Sequence, residues 1–203
     1  MTRFFRDNGL TIVLMLLFAG TIIGHAIAGW RVENEDLGRH GDAAISLGQY
    51  LAHPGFLSTV FENWESEFLQ MSAYVVLTAM LVQRGSAESK DPDDPPRDAG
   101  SRASWLYAHS LGLTLFALFI ASFVIHWTQS AAVAADEAIA HGEAAKSTIE
   151  YLFDPQLWFE SFQNWQSEFL STAVLVVLSI WLRQKESPES KAVAAPHSQT
   201  GAE

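Results

Sequence analysis

No charged residue stands between Asp7 and Arg31, and the run from Leu10 to Trp30 is almost wholly apolar. About 20 such residues cross the hydrocarbon core of a bilayer as a helix. A second run of that length extends from Trp105 to Trp127. Two shorter blocks, Phe68 to Val82 and Phe169 to Leu182, reach spanning length only if counted back from Gln83 and Gln184 to Asn63-Trp64 and Asn164-Trp165. The pattern predicts four spans, at 9–30, 63–83, 105–128 and 164–184. Arg3 and Arg6 before the first run and Ala26-Ile27-Ala28 at its end resemble a signal peptide. The later copy of the same run favours a retained helix.

That copy belongs to a duplication. Shifting the chain by 101 positions pairs its halves without a gap, and about thirty of the first ninety positions are identical. The longest match sets Phe61-Glu62-Asn63-Trp64-Glu65-Ser66-Glu67-Phe68-Leu69 against Phe162-Gln163-Asn164-Trp165-Gln166-Ser167-Glu168-Phe169-Leu170. Each copy holds two spans and returns to its starting side, so the copies are parallel repeats related by an axis along the membrane normal. The fold class expected is all-α, an integral membrane four-helix bundle. Its parts are repeat unit 1 (1–90), a linker (91–104), repeat unit 2 (105–191) and a flexible tail (192–203). Asp91-Pro92-Asp93-Asp94-Pro95-Pro96 marks the linker as irregular.

Charge sets the orientation. With a cytoplasmic N terminus, nine of the twelve basic residues lie inside and only Arg31, Arg39 and Lys146 lie outside, the positive-inside bias. The whole net charge of −11 then falls on the outer half. This acidity argues against a nucleic-acid partner, which needs a basic face. The absence of Cys removes disulfides, thiolate metal sites and thiol nucleophiles.

The outer loops carry helix signals. Ser46-Leu47-Gly48-Gln49 and Ser147-Thr148-Ile149-Glu150 fit the capping box, Asp154-Pro155 fits an N-cap before a first-turn proline, and His53-Pro54 is its weaker counterpart. A helix from Pro54 to Gln83 would be about 45 Å long and stand out of the membrane. His40-Gly41 and His141-Gly142 read as turns. Gly20-x-x-x-Gly24-x-x-x-Ala28 is a small-residue stripe suited to local helix packing.

Ionisable residues inside spans are costly and normally find partners. Counting from the inner boundary puts Glu67 and Glu168 about one turn below the outer surface, level with His25 and His126. Two His and two Glu around one axis make a candidate divalent-metal site or a proton or ion path. Structural hydrogen bonding of the same groups is the third reading, and all three stay open. Asn63, Trp64, Asn164 and Trp165 read as structural interface anchors. The aromatic residues form an interfacial belt, and no specific motif for a pigment or lipid appears. No phosphate loop, hydrolase triad, zinc-protease motif or dinucleotide fingerprint is present, so an enzyme is not expected.

The doubled Asn-Trp-x-Ser-Glu-Phe-Leu segments resemble a bacterial membrane-protein family of unknown function. So do the Gln-Arg/Lys-x-Ser-x-Glu-Ser-Lys endings at 83–90 and 184–191, the Asn8-Gly9-Leu10 start and the Ala195-Pro196-His197 tail. The resemblance implies a multi-pass protein of the bacterial plasma (inner) membrane built from two tandem two-helix units, with both termini cytoplasmic. It supplies no activity. The function expected is structural or accessory, with the lipid bilayer as surroundings and either self-association or a larger membrane complex as partner. A small metal-binding or proton-handling protein is the alternative. One departure from the repeat stands out: Gln166 replaces the equivalent of Glu65.

Overall fold

The computed structural model describes residues 3–95 and 101–201. Among these the chain is all-helical, with seven helices and no strands. They are α1 (Arg3–His40), α2 (Leu47–Leu51), α3 (Pro54–Met80), α4 (Trp105–Ala108), α5 (Ser110–Ala140), α6 (Thr148–Tyr151) and α7 (Pro155–Leu178). Two of them, α1 and α5, are long and apolar enough to cross a membrane.

The capping signals form as written. Ser46 and Ser147 each accept the backbone N–H three residues on, from Gln49 and Glu150, whose side chains reach back to the cap backbone. Asp154 caps α7 through the Gln156 N–H, and the Lys146 ammonium, hydrogen-bonded to it, helps hold its carboxyl below the usual carboxylate range. His53 performs this task for α3, its Nδ1 accepting from Gly55 N–H at 3.3 Å.

Helix ends differ from the expectation in two ways. The long helices run past the apolar stretch on one side, α1 to His40 and α5 to Ala140, because the polar residues there still favour helix. They stop where Gly41 and Gly142 adopt left-handed φ of +81° and +72°. Asp42 N–H then reaches Leu37 O and Glu143 N–H reaches Ala138 O, satisfying the last carbonyls of each helix. At the other end α3 and α7 stop at Met80 and Leu178, short of Gln83 and Gln184. There Ser89 Oγ accepts from Gln83 N–H and Ser190 Oγ from Gln184 N–H, so the Ser-Lys endings of both copies build the same polar cap in place of a further helical turn.

The chain divides into two compact units, Met1–Thr59 and Val60–Glu203. In the first, Asn34 clamps Ile45 through both backbone groups, and Trp30 Nε1 donates to the same carbonyl at 2.7 Å. Gly29 lies against the Tyr50 hydroxyl, where any Cβ would collide. Within this unit an added Cβ at Gly20 or Gly24 would meet no neighbouring atom.

The second unit holds most of α3 together with α4 to α7. Leu157, Tyr151 and Ala131 form a small apolar core backed by Phe123 and Trp127. Its remaining buried positions are mostly polar, including Ser66, Ser72, Ser122, Ser130, Ser161 and Ser179.

The tail, expected to be flexible, makes hydrogen bonds over 197–201 with the segments that follow α3 and α7. Lys191, 1% exposed, donates to the carbonyls of Gly85, Ile180, His197 and Gln199 at 2.5–3.2 Å, and Gly201 N–H bonds Ser86 O. A buried ammonium requires acceptors on every side, and the tail carbonyls supply two of them. Its repeat equivalent, Lys90, is exposed and donates to Ala79 O, the counterpart of Ile180 O. The linker reading falls partly on residues 96–100, outside the described residues; just before them, Arg84 pairs with Asp93 at 2.9 Å.

Candidate functional site

In the second unit α3, α5 and α7 bring one acidic and imidazole cluster together. Glu65 on α3 and His126 on α5 are both fully enclosed. His126 Nδ1 lies 2.8 Å from Glu65 Oε2, and its Nε2 lies 3.3 Å from Glu160 Oε2 on α7. Glu65 Oε1 accepts from Ser161 Oγ at 2.8 Å and Trp165 Nε1 at 3.0 Å. Glu160 takes further bonds from Gln156 Nε2 at 2.8 Å and Ser130 Oγ at 3.4 Å. Its side chain keeps 24% of its surface exposed, the one opening of the triad toward solvent.

Every polar atom of Glu65 and His126 is therefore paired, as a buried network must be to avoid a penalty. The proton count follows. A neutral imidazole carries one N–H, yet both ring nitrogens face carboxylate oxygens. The cluster holds one further proton, either on the ring or on a flanking carboxyl group. It can lock three helices together, and it can hold a proton between an enclosed carboxylate and a partly exposed one. Both ring nitrogens of His126 are thus engaged by carboxyl groups. Among the described residues no group of three or more His, Asp or Glu side chains is arranged to hold a metal ion.

The sequence-derived residues fall in different places. His126 is central. Glu67 is exposed, and its charge interacts with that of Glu168 rather than with an imidazole. Residues 65 and 67 are two apart, about 200° around a helix, so the buried Glu65 turns Glu67 away. His25 lies in the first unit, its Nε2 3.3 Å from Thr59 Oγ1 and its ring against Phe56. The pair His25–Thr59 is the repeat equivalent of His126–Glu160, with a hydroxyl where the second copy has a carboxylate.

Of the anchors, Trp165 and Asn164 tie α7 to α3. Trp165 bonds Glu65, and Asn164 Nδ2 donates to the Glu62 carboxylate and to Glu160 O. Trp64 packs on Phe61 with ring centres 5.1 Å apart, and the Asn63 carbonyl accepts from Ser66 Oγ at 2.8 Å.

The profile of a domain of unknown function, DUF6766, matches residues 1–202. The chain belongs to this family. Comparison with curated proteins finds no match. Comparison with solved structures finds none either. The chemistry of this DUF6766 chain therefore has to be read from its own side chains.

Reading the sequence by depth alone missed Glu65, Glu160 and Ser161. A signal for them was present in the repeat. Glu65 stands opposite Gln166, Glu160 opposite Thr59, Ser161 opposite Val60 and Ser130 opposite Gly29. At each of these positions the two repeats of the DUF6766 chain differ, and in each case the more polar or charged member joins the Glu65–His126–Glu160 cluster.

Proposed function

We propose that the chain is a non-enzymatic, multi-pass integral membrane protein of the bacterial plasma membrane, acting as a structural or accessory subunit of a membrane assembly. Its four long helices form two parallel hairpins with both termini in the cytoplasm. The Glu65–His126–Glu160 cluster is the polar lock of α3, α5 and α7.

The observation that carries this reading is inverted packing. In water a fold hides its large apolar side chains. Here buried positions are dominated by Ser, with Glu65, His126 and Lys191, while Leu, Val, Ile, Phe and Met stand exposed along α1, α3, α5 and α7. On α3 the exposed set includes Met71, Val76, Leu77 and Met80, and on α7 it includes Phe169, Leu170, Val174 and Leu178. An apolar exterior of this extent suits lipid, in which polar contacts rather than hydrophobic burial hold helices together. The short tilt of chemistry toward a lock comes from the complete pairing of Glu65 and His126, which leaves no open position for a substrate. Proton handling by the same three residues is the alternative use of the cluster.

The test is extraction followed by mass measurement. The chain is expected to stay in the membrane pellet through an alkaline carbonate wash, to be released by detergent, and to give a native mass above that of one chain. Release by carbonate contradicts membrane integration, and a lone monomer in mild detergent contradicts the assembly.

A further inference from the structure

Between α3 and α7, away from the His126 cluster, lies a groove of about 390 Å³. Ligand sites fall in the range of roughly 300–1,000 Å³, with apolar walls and a few placed polar groups. The walls here include Leu77, Leu81, Phe169, Val176 and Val177. One end is closed by the hydrogen bond from Gln70 to Thr172. From Gln70 to Leu81 the groove follows about 16 Å of chain at helical rise, close to the ~15 Å of one leaflet.

The other end holds a pair of carboxyl groups, Glu88 and Glu189, with one enclosed oxygen that no N–H or hydroxyl reaches. Glu88 Oε2 takes the Tyr74 hydroxyl at 2.7 Å, while Oε1 is enclosed and takes no N–H or hydroxyl donor among the described residues. Burial pushes the Glu88 carboxyl above the usual carboxylate range against the pull of the Tyr74 bond, and Glu189, through its charge and a side-chain hydrogen bond between the two carboxyl groups, pushes it further. A buried acceptor without a donor is costly, and two neighbouring carboxylates favour a cationic one.

We propose that this groove seats one acyl chain of a phospholipid with a primary-ammonium headgroup, whose N–H donates to Glu88 Oε1. A quaternary ammonium has no N–H to give, and an anionic headgroup meets the Glu88 and Glu189 charges. This inference rests on the bilayer reading above.

Native mass spectrometry of the delipidated, detergent-purified chain tests it. Phosphatidylethanolamine, phosphatidylcholine and phosphatidylglycerol with identical acyl chains are offered in equal amounts. Phosphatidylethanolamine is expected to be retained at least fivefold over the other two, and Glu88→Leu to lower it to their level. Should Glu88→Leu fail to fold, Leu81→Trp fills the groove with Glu88 intact and is expected to expel the lipid. Equal retention of all three lipids by protein purified from membranes overturns this proposal alone. A chain recovered from the soluble fraction overturns the bilayer reading with it.

Discussion

Glu65→Ala is expected to lower stability by about 3 kcal/mol, since removing one member of a buried ion pair strands the others. The substitution leaves Ser161 Oγ, Trp165 Nε1 and His126 Nδ1 without their shared acceptor in an enclosed site. In a chain of this length that corresponds to a melting point lower by roughly 10 °C. Glu65→Gln separates shape from charge. Its carbonyl accepts from Ser161 and Trp165, its amide donates to a neutral His126, and the ring keeps Glu160, so the loss is expected to be about 1 kcal/mol. Glu67→Gln, on an exposed carboxylate of the same helix, is expected to stay within about 0.5 kcal/mol of the parent. Thermal melts of the three variants in one detergent provide the comparison. Equal effects at 65 and 67 contradict the lock.

The second large effect is expected at the opposite end of the second unit. Lys191→Met preserves the apolar stem and deletes the ammonium, leaving the carbonyls of Gly85, Ile180, His197 and Gln199 without that donor. Hydrogen bonds to a charged group contribute roughly 1.5–3 kcal/mol each and do not add fully. A loss of about 3 kcal/mol is expected, together with release of residues 192–201 to protease. Lys90→Met removes the equivalent bond from an exposed side chain, and its cost is expected below about 1 kcal/mol. Melting and limited proteolysis of the two variants, side by side, read both effects. A Lys191→Met tail as resistant as the parent contradicts the cage.

Those two sites also mark where the sequence was readable. Helix starts at Ser46, Ser147 and Asp154 were legible because a cap is a local bargain between residues three apart. The turns at Gly41 and Gly142 were legible for the same reason. His126 was found because an imidazole inside an apolar run has to meet a partner. It was grouped with Glu67 and Glu168, at the same depth, because depth along the membrane was counted and the angle around the helix was not. Lys191 and its bonds to the tail were not legible at all. Four carbonyls drawn from Gly85, Ile180, His197 and Gln199 converge only once the chain has folded, and a Lys near a C terminus has no local mark of burial. The repeat supplied the missing information in another form, since the polar differences between its copies lie around His126.

The absence of native Cys allows the orientation of the two hairpins to be measured directly. Single cysteines introduced as Ala44→Cys, Ala145→Cys, Ser101→Cys and Ala192→Cys are treated with a membrane-impermeant maleimide in intact cells and again after permeabilisation. Labelling at 44 and 145 in intact cells, with 101 and 192 reacting only after permeabilisation, is the expected result. Labelling of 44 and 145 from opposite sides contradicts two hairpins lying the same way up in the membrane.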